Sequence, residues 1–185
     1  AHLVGLKTTA TIMFGHVETY AHWAEHLLRV RELQSETGGF TEFVPLPFVH
    51  MEAPIWRKGG TRSGPSWREA VLMHAVARIA LDGAIPNIQT SWVKLGPDGA
   101  AAMLQSGAND LGGTLMDESI TRSAGGVNGQ NFDVTAMRAL AGPGGAHGDD
   151  PERDGDRRED EKGGIVEGGQ RLDRRRPDLI GRANE

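Results

Sequence analysis

Two stretches and several strand ends carry residue types able to do chemistry. His22-Trp23-Ala24-Glu25-His26 fits H-x-x-E-H, in which two histidines four apart on one helix face hold zinc and the glutamate acts as base. The helix concerned follows a strand and belongs to an outer layer, and Trp23 and Leu27 already mark its buried face. Outer-helix histidines are the preferred reading, so no metal site is assigned. The zinc hydrolase stands third among the functional readings, and metal analysis without added iron separates it. Thr11-x-Met13-x-Gly15-x-x-Glu18 is better placed, across the carboxyl end of a strand. Met13 offers apolar contact to a flat ring, Gly15 lets the backbone approach closely, and Glu18 opens the next helix. An ordinary strand–glycine–helix junction fits the same residues.

Other polar residues recur at the ends of later strands. Gln89, Thr90 and Trp92 suit a planar heteroaromatic ring, through amide hydrogen bonds and stacking, or simply fill a barrel. Glu42 is a carboxylate inside an apolar strand. If it points inward, burial without a partner is costly, and a ligand or basic group is expected beside it. Gly112-Gly113-Thr114 admits a ligand to the backbone or makes a tight packing point. Asp117 and Glu118 suit a polar substrate, with helix capping the expected role of one of them.

The elements that position these groups read as strand–helix units. The β-branched run Thr8 to Phe14 predicts a strand, and Glu18 to Thr37 a helix with Trp23, Leu27 and Val30 on one stripe, stopped by Gly38-Gly39. Phe40 to Leu46 predicts a second strand ended by Pro45 and Pro47, followed by a long loop to Pro65. Ser66 and Glu69 form a capping box for a helix that buries Val71, Leu72, Ala75, Val76 and Ile79. Asn87 to Lys94 predicts a third strand, and Pro97 opens a helix running to Ser106. Asp110 to Met116 predicts a fourth strand leading into a short helix, and Asp133 caps a last helix through Leu140. Strands separated by helices imply an α/β fold with parallel pairing: four units are half of a (β/α)8 barrel or most of a doubly wound sheet. No G-x-G-x-x-G follows the first strand, and the polar residues gather at the carboxyl ends, which favours the barrel.

Composition bounds the rest. The 185 residues have the length of one domain, and a net charge of −5 argues against a nucleic-acid surface. There is no cysteine, which removes thiolate nucleophiles, disulfides and Cys-ligated clusters from this chain. No apolar run has the length of a membrane span and no export signal is visible, so the default location is the cytoplasm. The start at Ala1 rather than Met, inside the first unit, leads to the expectation of a truncated N-terminus. Beyond Pro151 more than half of the residues are charged, so 142–185 is expected to be a disordered, solvated tail and 1–141 the folded part.

The segments GLKTTATIMFGHVET, HLLRVRELQSETGGFTEFVPLPFVHMEAPI, IPNIQTSWVKLG and NDLGGTLMDESITRSAG together resemble the C-terminal half of the tyrosine-using component of FO synthase, a radical S-adenosylmethionine (SAM) family. The resemblance covers roughly residues 2–141, and FVPLPFVHMEAPI is the segment nearest the FO synthase type. It implies a radical SAM barrel with SAM and a [4Fe–4S] cluster as cofactors, the cluster held by a C-x-x-x-C-x-x-C loop near the family's start. The reduced cluster converts SAM to a 5′-deoxyadenosyl radical, tyrosine loses its Cα–Cβ bond, and the hydroxybenzyl fragment joins 5-amino-6-(D-ribitylamino)uracil. A sister ring-closing domain or subunit then yields the deazaflavin FO, precursor of coenzyme F-420. The Thr11 to Glu18 pattern is similar to the family's G-x-I-x-G-x-x-E stretch, which places Met13, Gly15 and Glu18 at SAM. Strand-end position and the resemblance place Glu42, His50, Gln89, Trp92, Asp117 and Glu118 at the substrates.

Two departures qualify the resemblance. The three-cysteine loop is absent, so the chain is expected to enter the barrel at about its fifth strand and to need a missing N-terminal half-barrel. After about Leu140 the family ending gives way to Gly142-Pro143-Gly144-Gly145 and the charged run, which is hypothesised to follow a reading-frame error. Failure to find the family ending in either other frame of the source DNA would remove that idea. A futalosine-pathway radical SAM enzyme of menaquinone synthesis is the alternative within the class. A non-catalytic half-barrel with open strand edges is the alternative outside it.

Overall fold

The computed structural model describes residues 1–115 and 117–142. After a 3-10 turn at His2–Val4 the order is β1 (Thr8–Phe14), α1 (Tyr20–Thr37), β2 (Phe40–Pro47), α2 (Pro54–Arg57), α3 (Trp67–Ala80), α4 (Trp92–Gln105), α5 (Ser119–Ser123) and α6 (Val134–Ala141). β1 alternates as a half-covered strand should: Ala10, Ile12 and Phe14 are buried while Thr9, Thr11 and Met13 are exposed. Its partner β2 is parallel, in register from Thr9↔Glu42 to Phe14↔Pro47. Two isolated parallel bridges, Phe43↔Ile88 and Gln89↔Asp110, extend the row to four parallel segments in chain order. α1 lies on β1, α3 and α4 lie on β2, and α3 sits between α1 and α4, so one helical layer covers one face. Phe14, Leu27, Phe43, Met73, Ile88 and Met103 fill the space between, with Phe14 edge-on to Trp23 at 5.3 Å.

Several local expectations hold. Trp23, Leu27 and Val30 are the buried stripe of α1, and Gly38 ends it with φ 58°. Ser66 and Glu69 close the capping box of α3, and the Asp133 side chain caps α6.

Four expectations need correction. α3 buries Glu69, Ala70, Met73, His74 and Ala77, not the expected stripe; Leu72, Val76 and Ile79 are exposed at 39%, 39% and 75%. The helix is apolar around most of its circumference, and the small Ala70 and Ala77 face lets it lie close to its neighbours, which decides the roll. The third strand shrinks to Ile88 and Gln89, because Trp92 to Lys94 instead form the first turn of α4, their chain turned at Ser91. α4 breaks at Gly96 (φ 72°, ψ 172°) and restarts at Pro97, the start expected from sequence. The fourth strand pairs at Asp110 alone: its carboxylate accepts from the Gly112 N–H at 2.7 Å and bends the chain out of the sheet. β2 runs through Pro45 to Pro47 instead of stopping. Proline is tolerated there because the side that would need its N–H pairs with the third segment only at Phe43. The short α2 inside the long loop was also not expected. Of the expected tail, everything beyond Gly142 lies outside the described residues.

The amino ends of the strands are stapled by Arg78 of α3. It donates to the Gly107 carbonyl (2.8 Å), the Pro86 carbonyl (2.7 Å) and Asn109 Oδ1 (2.6 Å). Asn109 in turn accepts from the Ile88 N–H at 2.8 Å and donates to Pro86 at 3.1 Å. Arg78→Met is expected to lower stability by roughly 2 kcal/mol, since charge-assisted bonds are lost and their acceptors stranded. An unchanged urea midpoint would show that the staple contributes nothing.

Candidate functional site

At the end of β1 the chain makes a turn that closes on itself. Glu18 folds back so that its carboxylate accepts from the Gly15 N–H, the His16 N–H (2.9 Å) and the Trp23 indole N–H (2.9 Å). Burial alone would raise its pKa, but the Gly15 and His16 amides and the Trp23 indole outweigh that and bring it down to about 2. Gly15 has φ 95°, and a Cβ there would sit 2.2 Å from Pro65. The close approach that Gly15 permits is thus taken up by the chain's own Pro65. Met13 remains 49% exposed, on the sheet face away from the helices, beside its register partner Leu46. A surface pocket lined by Glu18, Thr19, Tyr20, Arg62 and Glu69 opens next to the turn.

At the start of the same strands, Glu42 is partly exposed and accepts from the Thr9 hydroxyl at 2.9 Å. It shares with Thr9 and Met13 the sheet face away from the helices, the face that points inward in a barrel, and its hydrogen-bond partner there is the Thr9 hydroxyl instead of a basic group. His50 lies in the β2–α3 loop, its ring edge-on to Trp56 at 4.8 Å.

The third and fourth segments meet at their carboxyl ends. Gly112 presses on Gln89 so tightly that a Cβ would fall 2.0 Å from Gln89 Nε2. Trp92 is buried, donates to the Gly113 carbonyl at 3.1 Å and packs on Phe132 at 5.1 Å. Thr90 between them is fully buried, and its hydroxyl has no hydrogen-bond partner among the described residues. Asp117 pairs with Arg122 at 2.9 Å on the exterior. Glu118 caps α5, accepting from the Ile120 (2.9 Å) and Thr121 (2.8 Å) amides. Burial works to raise its pKa, and those amides with the nearby Lys94 charge bring it below the ordinary value. Capping is therefore Glu118's role, as one of the two acids was expected to show.

Lys94 was not singled out from the sequence. It is half-buried, its pKa lowered by burial against the opposing pull of Glu118, and its ammonium donates to Thr121 Oγ1 at 3.3 Å. Reading Lys94 as the end of a strand hid this, since only the turn into α4 aims it at α5.

The structure thus gathers Gln89 with Trp92, and Glu118 with Lys94, while Met13, Gly15 and Glu18 share the β1 turn. Glu42 and His50 stand apart, near opposite ends of β2. The β2–α3 loop links the ends: Arg62 N–H bonds to the His16 carbonyl at 3.1 Å and Glu52 N–H to the Ala124 carbonyl at 2.9 Å. In the H-x-x-E-H stretch, His22 accepts from the Thr19 N–H at 3.1 Å as part of the α1 capping box, and His26 packs on Phe43. Among the described residues no three His, Cys, Asp or Glu side chains are grouped to hold a metal, and no helix is long and apolar enough to cross a membrane.

Comparison with known proteins adds an independent line. The family model described as "CofH/MqnC C-terminal region" matches residues 37–144. The FO synthase of Nocardia farcinica is 55% identical over 141 residues, 76% of this chain and 16% of that protein. The FO synthase of Mycobacterium tuberculosis is 53% identical over the same length and shares. A 5-amino-6-(D-ribitylamino)uracil–L-tyrosine 4-hydroxyphenyl transferase of Methanopyrus kandleri is 54% identical over 133 residues, 72% of this chain and 36% of that protein. The chain spans only a minor part of the length of each of these relatives.

Proposed function

The chain belongs to the CofH/MqnC C-terminal region family, and from that premise we propose that residues 1–141 form the C-terminal half of a radical SAM (β/α)8 barrel. The whole enzyme joins the 4-hydroxybenzyl group of tyrosine to 5-amino-6-(D-ribitylamino)uracil, on the way to FO. The supporting observation is the 55% identity to an FO synthase across 141 residues, 76% of this chain. Four parallel segments in chain order under a single helical layer agree with such a half-barrel.

The residues present fit the two cofactors differently. Met13, exposed on the open sheet face beside Leu46, fits apolar contact to the adenine of SAM. Gly15 and Glu18 fit as holders of the turn that ends this strand, because Pro65 and the backbone amides already occupy them. The [4Fe–4S] cluster does not fit this chain, which has no cysteine. Its ligands belong to the remaining part of the enzyme. SAM supplies the radical chemistry when bound. This chain's contribution is to shape the open sheet face and its carboxyl-end rim. On that rim Gln89 offers an amide to a planar heterocycle, held in place by Gly112, while Trp92 makes an apolar wall. Glu42, His50, Asp117 and Glu118 complete the proposed substrate set, with Glu118 acting through the α5 cap. The partners are the N-terminal half-barrel and a ring-closing domain or subunit, and the location is the cytoplasm.

The test is turnover by the full-length protein carrying this segment, reconstituted anaerobically with its cluster. With SAM, tyrosine and 5-amino-6-(D-ribitylamino)uracil, mass spectrometry is expected to show the hydroxybenzyl adduct. Turnover of futalosine-pathway substrates alone, with no adduct, would overturn the reading.

A further inference from the structure

Resting on the cofactor reading above, we propose that Arg62 is a positioning residue for the adenosyl cofactor. Its guanidinium is the shared counter-charge that keeps two nearly buried carboxylates, Glu18 of the β1 turn and Glu69 of α3, from pushing the turn open.

The geometry is specific. Arg62 Nη1 donates to both Glu69 oxygens, at 2.7 and 2.9 Å, and Nη2 lies 3.6 Å from Glu18 Oε1. The carboxylate side chains are only 13% and 11% exposed, against 39% for the arginine. Each acid is committed to local work and cannot swing away. Glu18 holds the Gly15 and His16 amides and the Trp23 indole, and Glu69 holds the Ser66 amide at 2.7 Å as the capping box of α3. The backbone around Arg62 is pinned as well: its N–H bonds to the His16 carbonyl, and Pro65 abuts Gly15.

An exposed ion pair contributes little. The effect here lies in what removal leaves behind, two desolvated like charges facing one pocket with no counter-charge between them. The least costly relief is movement of the shorter, glycine-containing element, the Gly15–Glu18 turn, because α3 is fixed by its packed face. That turn directly follows Met13 on the strand. Arg62 therefore touches no proposed ligand, yet sets the surface the adenosyl group would meet.

The experiment measures S-adenosylhomocysteine binding by calorimetry on the full-length protein carrying this segment. It also follows the Trp23 indole N–H resonance by nitrogen-15 NMR, assigned with Trp23→Phe. Arg62→Met is expected to weaken binding about fivefold or more and to shift the Trp23 resonance. Adding Glu69→Gln should restore both, because one of the repelling charges is gone. Wild-type affinity in Arg62→Met, or weakened affinity that the double variant fails to recover, overturns the proposal. If Arg62→Met does not fold, Arg62→Lys decides by the same two readouts: retained charge should keep the resonance near its wild-type position. Absence of binding by the wild-type protein would count against the cofactor reading instead. The Trp23 resonance would then still decide whether Arg62 holds the turn.

Discussion

Gly15→Ala is expected to lower the folding stability of this chain by about 2–5 kcal/mol, a large share of what an ordinary domain has. Two separate costs combine. An L-residue at φ 95° is strained, by about 1–2 kcal/mol. The new Cβ also lies 2.2 Å from both the ring Cδ and the backbone nitrogen of Pro65, and 2.8 Å from the Gly64 carbonyl carbon. Proline offers no flexible end that could step aside, so the Gly64–Pro65 segment must move, which costs roughly 1–3 kcal/mol more. Gly112→Ala is an instructive control. It shares the backbone strain, at φ 73°, but the obstruction is the terminal amide of Gln89, the end of a side chain able to shift, so the expected loss is about 1–2 kcal/mol. Urea unfolding of the two variants should rank them in that order. Equal midpoints would mean that the Pro65 contact yields easily.

Acidification should expose the second large effect. His74 is fully buried in α3, with Nδ1 2.8 Å from the Ala70 carbonyl and Nε2 without a partner among the described residues. Burial pulls its pKa down from 6.5 to about 4, only partly offset by the Ala70 carbonyl. The unfolded chain therefore takes up a proton below about pH 6.5 while the folded chain resists until about pH 4. Stability attributable to this residue is fully present above pH 6.5, falls as pH drops toward 4, and levels off below that, a loss of about 3 kcal/mol. The carboxylates Glu18, Glu69 and Glu118, whose pKa values are depressed, lose their contributions only at lower pH, as they protonate. Comparison with His74→Leu between pH 7 and 4 isolates the histidine: the stability gap should shift in the variant's favour as pH falls. A constant gap would mean that water or a rearrangement solvates the ring.

Sequence patterns exposed what is local and missed what depends on distant partners. The alternation in β1, the Trp23–Leu27–Val30 stripe and the Ser66–Glu69 box each rest on residues within a turn or two, and all appear where expected. The roll of α3 could not be read, because Leu72–Val76–Ile79 and Ala70–Met73–Ala77 have the same helical spacing; contact with α1 and α4 chooses between them. The third and fourth strands were overextended for a related reason. Apolar, β-branched runs look alike whether they pair or turn, and the Asp110 carboxylate that ends pairing does so through a backbone bond. The candidate site was legible as a set of positions at strand ends but not as a set of roles. Glu18 was visible as the last residue of a spaced motif. Its inward turn depends on the Trp23 indole and on Arg62, which arrives from the far side of β2. Lys94 was hidden by the strand assignment itself.

The β2–α3 loop is held at Ala124 near its start and at His16 near its end. A loop tethered at both points has already lost most of its conformational freedom on folding. The loop is thus pre-ordered, and its Glu52 and Arg62 amides should exchange slowly with deuterated solvent, unlike those of a free flap.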